Sequence, residues 1–356
     1  MDPQALAARA KALALEEGFD LAGIATAEAP PEARFFAEWV GRGYAGEMAY
    51  LTSQVAKRSD LRNAFPWARS VISVALQYDT PHPYSTQVGG EGGWIARYAW
   101  GDDYHDVMKA LLDRLVARLE AEFGLFQAQT YVDTGPIVER AYAAAAGIGA
   151  WGKNTCLLHP EHGSWFFLGE VVTDLDLASD APRPDMCGSC TACLDACPTQ
   201  AFPAPYVLDA TRCISYLTIE VKGEIPEEWR PGVGQHVFGC DICQDVCPWN
   251  RRRRRQARDA FEPRPGLVAP DLAELARLND EGFRERFRRS PVKRAKRRGL
   301  LRNVAVALGN SGDRSRLPVL EALAADPDPL VREHAQWAIR KLYGLEAADA
   351  ARKLER

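Results

Sequence analysis

The chain is short of everything that a membrane or an export route demands. No apolar run reaches the ~18 to 20 residues of a bilayer span, which excludes a helical membrane protein. The first twenty residues, MDPQALAARAKALALEEGFD, lack a cationic start, an unbroken apolar stretch and a small-residue cleavage site, so no secretory leader is expected. Without a leader, the nine cysteines are expected as free thiolates in a reducing, cytoplasmic setting rather than as a disulfide framework. Net charge is scarce too, at −4 over 356 residues, but its distribution is uneven. Between Arg251 and Arg302 stand eighteen Lys/Arg against seven Asp/Glu, and from Phe283 to Arg302 ten against one. Such a stretch on an acidic body suggests a polyanionic partner, and a phosphate-binding face explains it better than ordinary solvated charge.

Two further absences narrow the chemistry. No C-x3-C-x2-C occurs, so radical S-adenosylmethionine chemistry has no support. Gly147 through Gly152-Lys153 superficially suggests a nucleotide phosphate loop, yet Asn154 stands where that loop needs a Ser or Thr hydroxyl for its metal ion.

The cysteines that are present are strongly patterned. Cys187, Cys190, Cys193 and Cys197 run as C-x2-C-x2-C-x3-C before Pro198. In bacterial ferredoxins that run places three thiolates on three corners of one iron–sulfur cube and sends the fourth to a second cube. Cys240, Cys243 and Cys247, before Pro248, repeat the pattern with one member missing, and Cys213 is the natural substitute. By the crossover rule, Cys187, Cys190, Cys193 and Cys247 hold one [4Fe-4S] cluster, and Cys197, Cys213, Cys240 and Cys243 hold the other. Zinc sites also use close cysteine pairs, but three ligands within seven residues followed by a Cys-Pro fourth favour clusters. Clusters conduct electrons singly, and conduction alone would not require the residues 1–180 that precede them.

Those residues mix both periodicities. Pro3 to Glu17 reads as a helix stopped by Gly18, and Asp102 to Phe123 as a helix with Leu111, Leu112, Leu115, Val116 and Leu119 on one face and Gly124 at its end. Pro136 to Ala146 reads as a helix closed by Gly147. Arg69 to Tyr78, Phe126 to Val132 and Trp165 to Thr173 read as strands. The alternation indicates an α/β or α+β domain. Ala181-Pro182-Arg183-Pro184 marks a boundary. Residues 181–255 are then a ferredoxin-like two-cluster domain, 256–296 a basic linker, and 297–356 an all-α segment. In that segment Leu300 to Leu308, Leu317 to Ala325 and Leu330 to Leu342 are apolar-faced, and DPDPLVREHAQWAIRKL resembles a HEAT repeat; a plain helical bundle is the alternative. Asp133 stands at a strand end before a Pro-initiated helix, where α/β folds carry functional side chains but where an Asp is also an ordinary helix cap.

Taken together, several segments resemble the epoxyqueuosine reductase family, over nearly the whole chain. They are Lys57-Arg58-Ser59-Asp60, Tyr98-Ala99 through Asp103-Tyr104-His105, Asp133-Thr134-Gly135-Pro136 with Glu139-Arg140-Ala141, and Gly152-Lys153-Asn154-Thr155. Ser164 to Glu170, the two cysteine runs and Cys213 to Thr218 complete the set. The resemblance implies a cobalamin-dependent iron–sulfur enzyme that reduces epoxyqueuosine at the tRNA wobble position to queuosine, the last step of queuosine biosynthesis. It implies cobalamin bound by residues 1–180, the anticodon stem-loop of tRNA as partner, a one-electron donor such as flavodoxin or ferredoxin, and a HEAT-like C-terminal segment; a monomer is expected. Asp133 matches the family's proposed proton donor, and burial beside the corrin would raise its pKa enough to keep a proton near neutrality. Arg58, Asp133, Asn154, Leu157, Ser215 and Asp241 match positions of cobalamin contacts. The base-off motif D-x-H-x-x-G is absent, since Asp106, Val107 and Met108 follow His105. That agrees with a family whose corrin has no histidine ligand, and His105 reads as an ordinary polar residue at a helix start. Cys156, the ninth cysteine, reads as a small buried thiol. A reductive dehalogenase-like enzyme would share both cofactors but predicts an export signal and no basic face. A plain electron-transfer module would bind no corrin.

Overall fold

The computed structural model describes residues 2–88, 92–251, 253–256 and 258–345. Arg252 of the basic stretch and the last eleven residues of the expected C-terminal segment lie outside these. Among the described residues no helix is long and apolar enough to cross a membrane.

A four-stranded sheet organises the first half. Helix α1 (Pro3–Glu16) carries Pro at its first turn, where a missing N–H costs nothing, and gives way to Gly18 at φ +103°. Strand β1 (Leu21–Thr26) follows, a strand not anticipated from the sequence. Next come β2 (Ser70–Gln77), the long helix α2 (Tyr104–Phe123), β3 (Ala128–Tyr131), helix α3 (Glu139–Ala145) and β4 (Phe166–Thr173). The spatial order is β1-β2-β4-β3 and every pairing is antiparallel, so the domain is α+β.

The sheet is covered on both faces, which is why all eight residues of β2 are buried. Alternate side chains point to opposite faces. Ile72, Val74 and Leu76 meet Ala10 and Leu13 of α1 and Met108, Leu112 and Leu115 of α2. Val71 and Ala75 face Tyr142 and Ala143 of α3. Gly23 explains how closely α3 approaches: a Cβ there would stand 2.1 Å from the Ala146 carbonyl oxygen. Helix α3 starts at Glu139 rather than at Pro136, so Asp133 caps no helix; the N-terminal flanking residue is Val138.

The second half is built round one core. Trp94–Ile95 pairs in parallel with His236–Phe238. Beside this ribbon lie helix α4 (Ile214–Ile219) and three C-terminal helices, α5 (Lys296–Asn310), α6 (Leu317–Ala324) and α7 (Pro329–Tyr343). The three fall where apolar periodicity predicts them, and Asp328 accepts from the Leu330 N–H as the cap of α7. Residues 299–309 of α5 are all buried, so this helix runs through the middle of the core. Its polar residues are fully used. Arg302 donates to the carbonyls of Leu217, Val221 and Gly223, and Asn303 donates to those of Thr218 and Val237. Residues 256–296 join the same core through Leu272, Leu275, Phe283 and Phe287.

Candidate active site and cluster loops

Each cysteine run forms a tight loop opening a four-residue helix, Ala192–Asp195 in the first and Ile242–Asp245 in the second. A small cavity of about 40 Å³ is lined by Cys187, Cys190, Cys193 and Cys247, together with Lys153, Asn154 and Trp249. The fourth cysteine of this set belongs to the other run, the crossing that the ferredoxin spacing leads one to expect. Cys247 feels the charges of Cys187 and Cys193, while Cys240 and Cys243 feel that of Cys213. Cys213 in turn feels Cys197. Thiolates gathered this way repel unless cations sit among them, which is the donor chemistry of an iron–sulfur cube. Donors are arranged around the first set. The Lys153 N–H reaches Cys187 Sγ at 3.4 Å, and its ammonium donates to the Gly188 and Cys190 carbonyls. Cys190 is exposed, whereas Cys156 lies against Cys243, a ninth thiol beside a tenant of the second loop.

Two larger cavities meet at Asp133. One, of about 780 Å³, is lined by Tyr98, Asp103, Tyr104, His105, Thr130, Lys293 and Arg294 among others. The second, of about 400 Å³, has an apolar and aromatic wall including Phe36, Trp39, Met48, Leu51, Ile137 and Trp151, with Arg58, Glu139, Cys213 and Ser215 as its polar edge. Asp133 and Tyr50 line both. Asp133 sits at φ +60°, an uncommon conformation for a residue with a Cβ. Its backbone N–H donates to Glu139 Oε1 at 2.5 Å, and its Oδ2 accepts from the Tyr104 hydroxyl at 3.0 Å. His105 Nε2 stands 3.8 Å from the same oxygen. On its other side His105 Nδ1 meets Asp103 Oδ1 at 2.7 Å, and Lys293 binds Asp103 Oδ2.

In this structure partial burial pushes the Asp133 carboxyl upward, but His105 and Tyr104 outweigh it, and the pKa lies below the usual carboxylate range. Burial lowers His105, and its two carboxylate neighbours more than reverse that, to about 9. As these residues stand, the proton of the pair rests on the imidazole at neutral pH. His105 is thus not an ordinary polar residue at a helix start. Its link to Asp133 spans twenty-eight positions and has no local signature.

Of the other expected cobalamin contacts, Arg58 and Ser215 line the apolar cavity. Arg58 is 6% exposed; its Nη1 donates to the Ile137 carbonyl, and its Nε has no partner among the described residues. Asn154, Leu157 and Asp241 do not line that cavity and are buried. Asn154 donates to the Cys243 carbonyl, and Asp241 accepts from Trp94 Nε1 and the Arg97 N–H. Asn154 and Asp241 thus sit at the cluster loops, whereas Leu157 packs with Val71, Tyr142 and Val172 in the core between the sheet and α3. The basic stretch also divides. Arg253 and Arg255 bind the buried Asp79, Arg258 binds Asp20, Arg294 binds Glu220, Arg297 binds Asp326 and Arg298 binds Asp328. These arginines carry fold contacts, so the whole stretch is not one phosphate face. What remains concentrated is a cavity of about 460 Å³ lined by Arg284, Arg288, Arg289, Lys293, Lys296 and Arg297, with Asp280 as its acid.

Comparison with known proteins agrees with this arrangement. Residues 186–250 match the family model described as "4Fe-4S double cluster binding domain", and residues 58–134 match "Epoxyqueuosine reductase QueG, DUF1730". The chain is 45% identical over 346 residues to the epoxyqueuosine reductase of Pseudomonas aeruginosa, covering 96% of this chain and 95% of the relative. This chain belongs to the epoxyqueuosine reductase family. The Escherichia coli K12 member is 39% identical over 342 residues, covering 95% and 90%. A crystal structure of an epoxyqueuosine reductase with an epoxyqueuosine-modified tRNA-Tyr stem loop superposes with a TM-score of 0.83 at 35% identity, over 95% of this chain and 90% of that one. A Bacillus subtilis epoxyqueuosine reductase, described with its catalytic loop swung out of the active site, gives 0.83 at 34% identity over the same shares. Tyr104 and His105, which line the polar cavity, and Glu139, which lines the apolar one, are side chains around Asp133 that no spacing rule along the chain picks out.

Proposed function

We propose that this chain reduces epoxyqueuosine to queuosine in tRNA, with cobalamin and two [4Fe-4S] clusters as its cofactors. The observation that carries this reading is Asp133, held by Tyr104 and facing His105, at the junction of an apolar cavity and a polar, basic-edged one. A flat macrocycle suits the aromatic wall of the first, and the orphaned Nε of Arg58 offers it a buried donor. Cobalamin, when bound, supplies a strongly reducing, nucleophilic centre. Arg58 and Ser215 would hold it; Asn154 and Asp241 would act at a remove, through the cluster loops, and Leu157 through the core beneath α3. The polar cavity, walled by Tyr98, Tyr104 and His105, would take the modified nucleoside.

Removing an epoxide oxygen to leave an alkene takes two electrons and two protons and releases water. The His105–Asp133 pair supplies the first proton, stored on His105 Nε2 and presented to the departing oxygen through Asp133 Oδ2, and solvent water reaching the polar cavity supplies the second. Tyr104 keeps Oδ2 aimed into the cavity. Electrons would enter near the exposed Cys190, from a donor such as flavodoxin or ferredoxin, into the cluster of Cys187, Cys190, Cys193 and Cys247. They would pass to the cluster of Cys197, Cys213, Cys240 and Cys243, which is the inner one because Cys213 forms part of the apolar cavity wall. Helices α5 to α7 would form the HEAT-like flank of the stem-loop site. Residues 1–180 would carry the corrin, 181–255 the clusters, and the stretch between 256 and 296 the contact with RNA phosphates. The chain would work as a monomer in the cytoplasm.

The test is direct. Protein purified without oxygen and mixed with cobalamin should show both cluster and corrin absorption. A deletion strain should accumulate epoxyqueuosine in its tRNA until this chain is restored. Absence of the corrin band, or unchanged nucleosides, would overturn the reading.

A further inference from the structure

Behind Asp133 lies a second carboxyl pair that the proton transfer above does not use. Glu170 is 0% exposed on the central strand β4. It pairs across the sheet with Ser73 on β2 and Tyr131 on β3, so the three share the face toward α3. Among the described residues neither of its carboxylate oxygens has a hydrogen-bond donor, and the Ser73 hydroxyl is equally without a partner. An ionised carboxylate in such a place costs several kcal/mol. The group within reach is the carboxyl of Glu139, at the start of α3. Two carboxyls can bond to one another only if one of them carries a proton. Glu139 has a second task, since its Oε1 accepts the backbone N–H of Asp133, the residue held at φ +60°. A left-handed, non-glycine residue persists only where its surroundings over-determine it, and Glu139 is a side chain that does so here.

We propose that Glu139 and Glu170 share a single proton, and that this shared proton pins the Asp133 loop in its working position. The inference deepens the functional reading above, on which its catalytic meaning rests. The charged and titratable groups around the pair are Asp133 on the loop, Arg140 on α3, Arg58 across the apolar cavity, and Tyr104 and His105 on α2. Burial and the Asp133 charge hold Glu139 up at about 8, and burial and Glu139 hold Glu170 well above the usual range. Glu139 therefore gives up its proton first, and Glu170 keeps the one proton that bridges the two carboxyls, so the Asp133 N–H retains its acceptor as pH rises through about 8. Glu139 and Glu170 are therefore positioning residues.

The test needs neither corrin nor RNA, so its failure is distinct from failure of the proposed reaction. Infrared spectra of the folded chain above about pH 8, where Glu139 is ionised, should show the C=O stretch of a buried protonated carboxyl, absent in Glu170→Gln. Amide hydrogen exchange at residues 132–134, compared among variants at equal pH, should be at least ~10-fold faster in Glu139→Ala than in the parent chain. In the parent, protection should persist as pH rises through about 8, because Glu170 keeps the shared proton. It should persist likewise in Glu170→Gln, whose amide donates to Glu139 at every pH. Should Glu139→Ala not fold, the infrared difference between the parent and Glu170→Gln still decides the matter. Absence of that carboxyl band, or loop exchange no faster in Glu139→Ala, overturns the proposal.

Discussion

Replacing Asp133 with Asn removes one charge while keeping the volume and an acceptor oxygen. Because this side chain caps no helix, the exchange should cost little stability. Its effect should be felt at His105. Two carboxylates hold that imidazole: Asp103 Oδ1 at 2.7 Å from Nδ1, and Asp133 Oδ2 at 3.8 Å from Nε2. At 3.8 Å a unit charge pair is worth about 4 kcal/mol at an effective dielectric near 20 and about 1 kcal/mol in water. The Asp133 side chain is 57% exposed and that of His105 33%, so solvent screening places the pair toward the lower figure. About 1.4 kcal/mol corresponds to one pKa unit. The imidazolium midpoint should thus fall from about 9 to about 8 in Asp133→Asn, and not to the free value, because Asp103 remains. Proton NMR of the His105 ring reads this directly. Turnover should drop about 10² to 10⁴-fold, with cluster content and RNA affinity unchanged. In the parent chain activity should decline as pH rises through about 9, where His105 gives up its proton. An unmoved midpoint would refute the coupling, and near-normal turnover would remove Asp133 from the acid role.

Cys247→Ser should cost the cluster held by Cys187, Cys190 and Cys193, and Cys197→Ser the other one; iron counts and electron paramagnetic resonance of each variant should show the crossed losses. Exchanging Arg284, Arg288 and Lys296 for Ala should weaken stem-loop binding and flatten the plot of log affinity against log salt by roughly 0.7 to 0.9 units per phosphate contact. Arg297→Ala should instead leave that slope nearly intact and lower stability by about 3 kcal/mol, since it strands a carboxylate, Asp326, that is 6% exposed. Asp79→Asn should be costlier, about 3 to 5 kcal/mol by denaturant titration, because the buried Arg97 and Arg253 lose their shared counter-charge.

What could be read along the chain was what is spaced locally. The cysteine runs carry their ligand chemistry within a few residues. Helices α1 and α2 announce themselves by apolar stripes closed with glycine, and β2 and β4 by short β-branched runs. Strand β1 escaped because LAGIAT is made of small residues, kept small by the close approach of α3 at Gly23. The antiparallel strand order escaped because period alone does not order strands. The arginines escaped for a different reason. Whether one faces RNA or an acid is settled by partners as distant as Asp79, 174 positions from Arg253. The same holds for the active site: Asp133 stood out by its place after a strand, but its partners lie on α2, which begins twenty-nine residues earlier. Asn154 and Asp241 stood out by motif, yet their contacts lie at the cluster loops, and Leu157 packs into the core beneath α3.

Helix α5 is a late and deeply enclosed piece of the core. Its buried residues 299–309 leave the ribosome only after all the cysteines have emerged, at about 5 to 20 residues per second. Until then the carbonyls of α4 that Arg302 and Asn303 will bind have no donors, and the hydrophobic side of the Trp94 ribbon stays open to solvent. Vectorial synthesis therefore delivers the keystone late, and iron captured by the nascent loops would meet an unfinished scaffold. A chain truncated before Leu300 should be a client for chaperones and proteases rather than a smaller reductase.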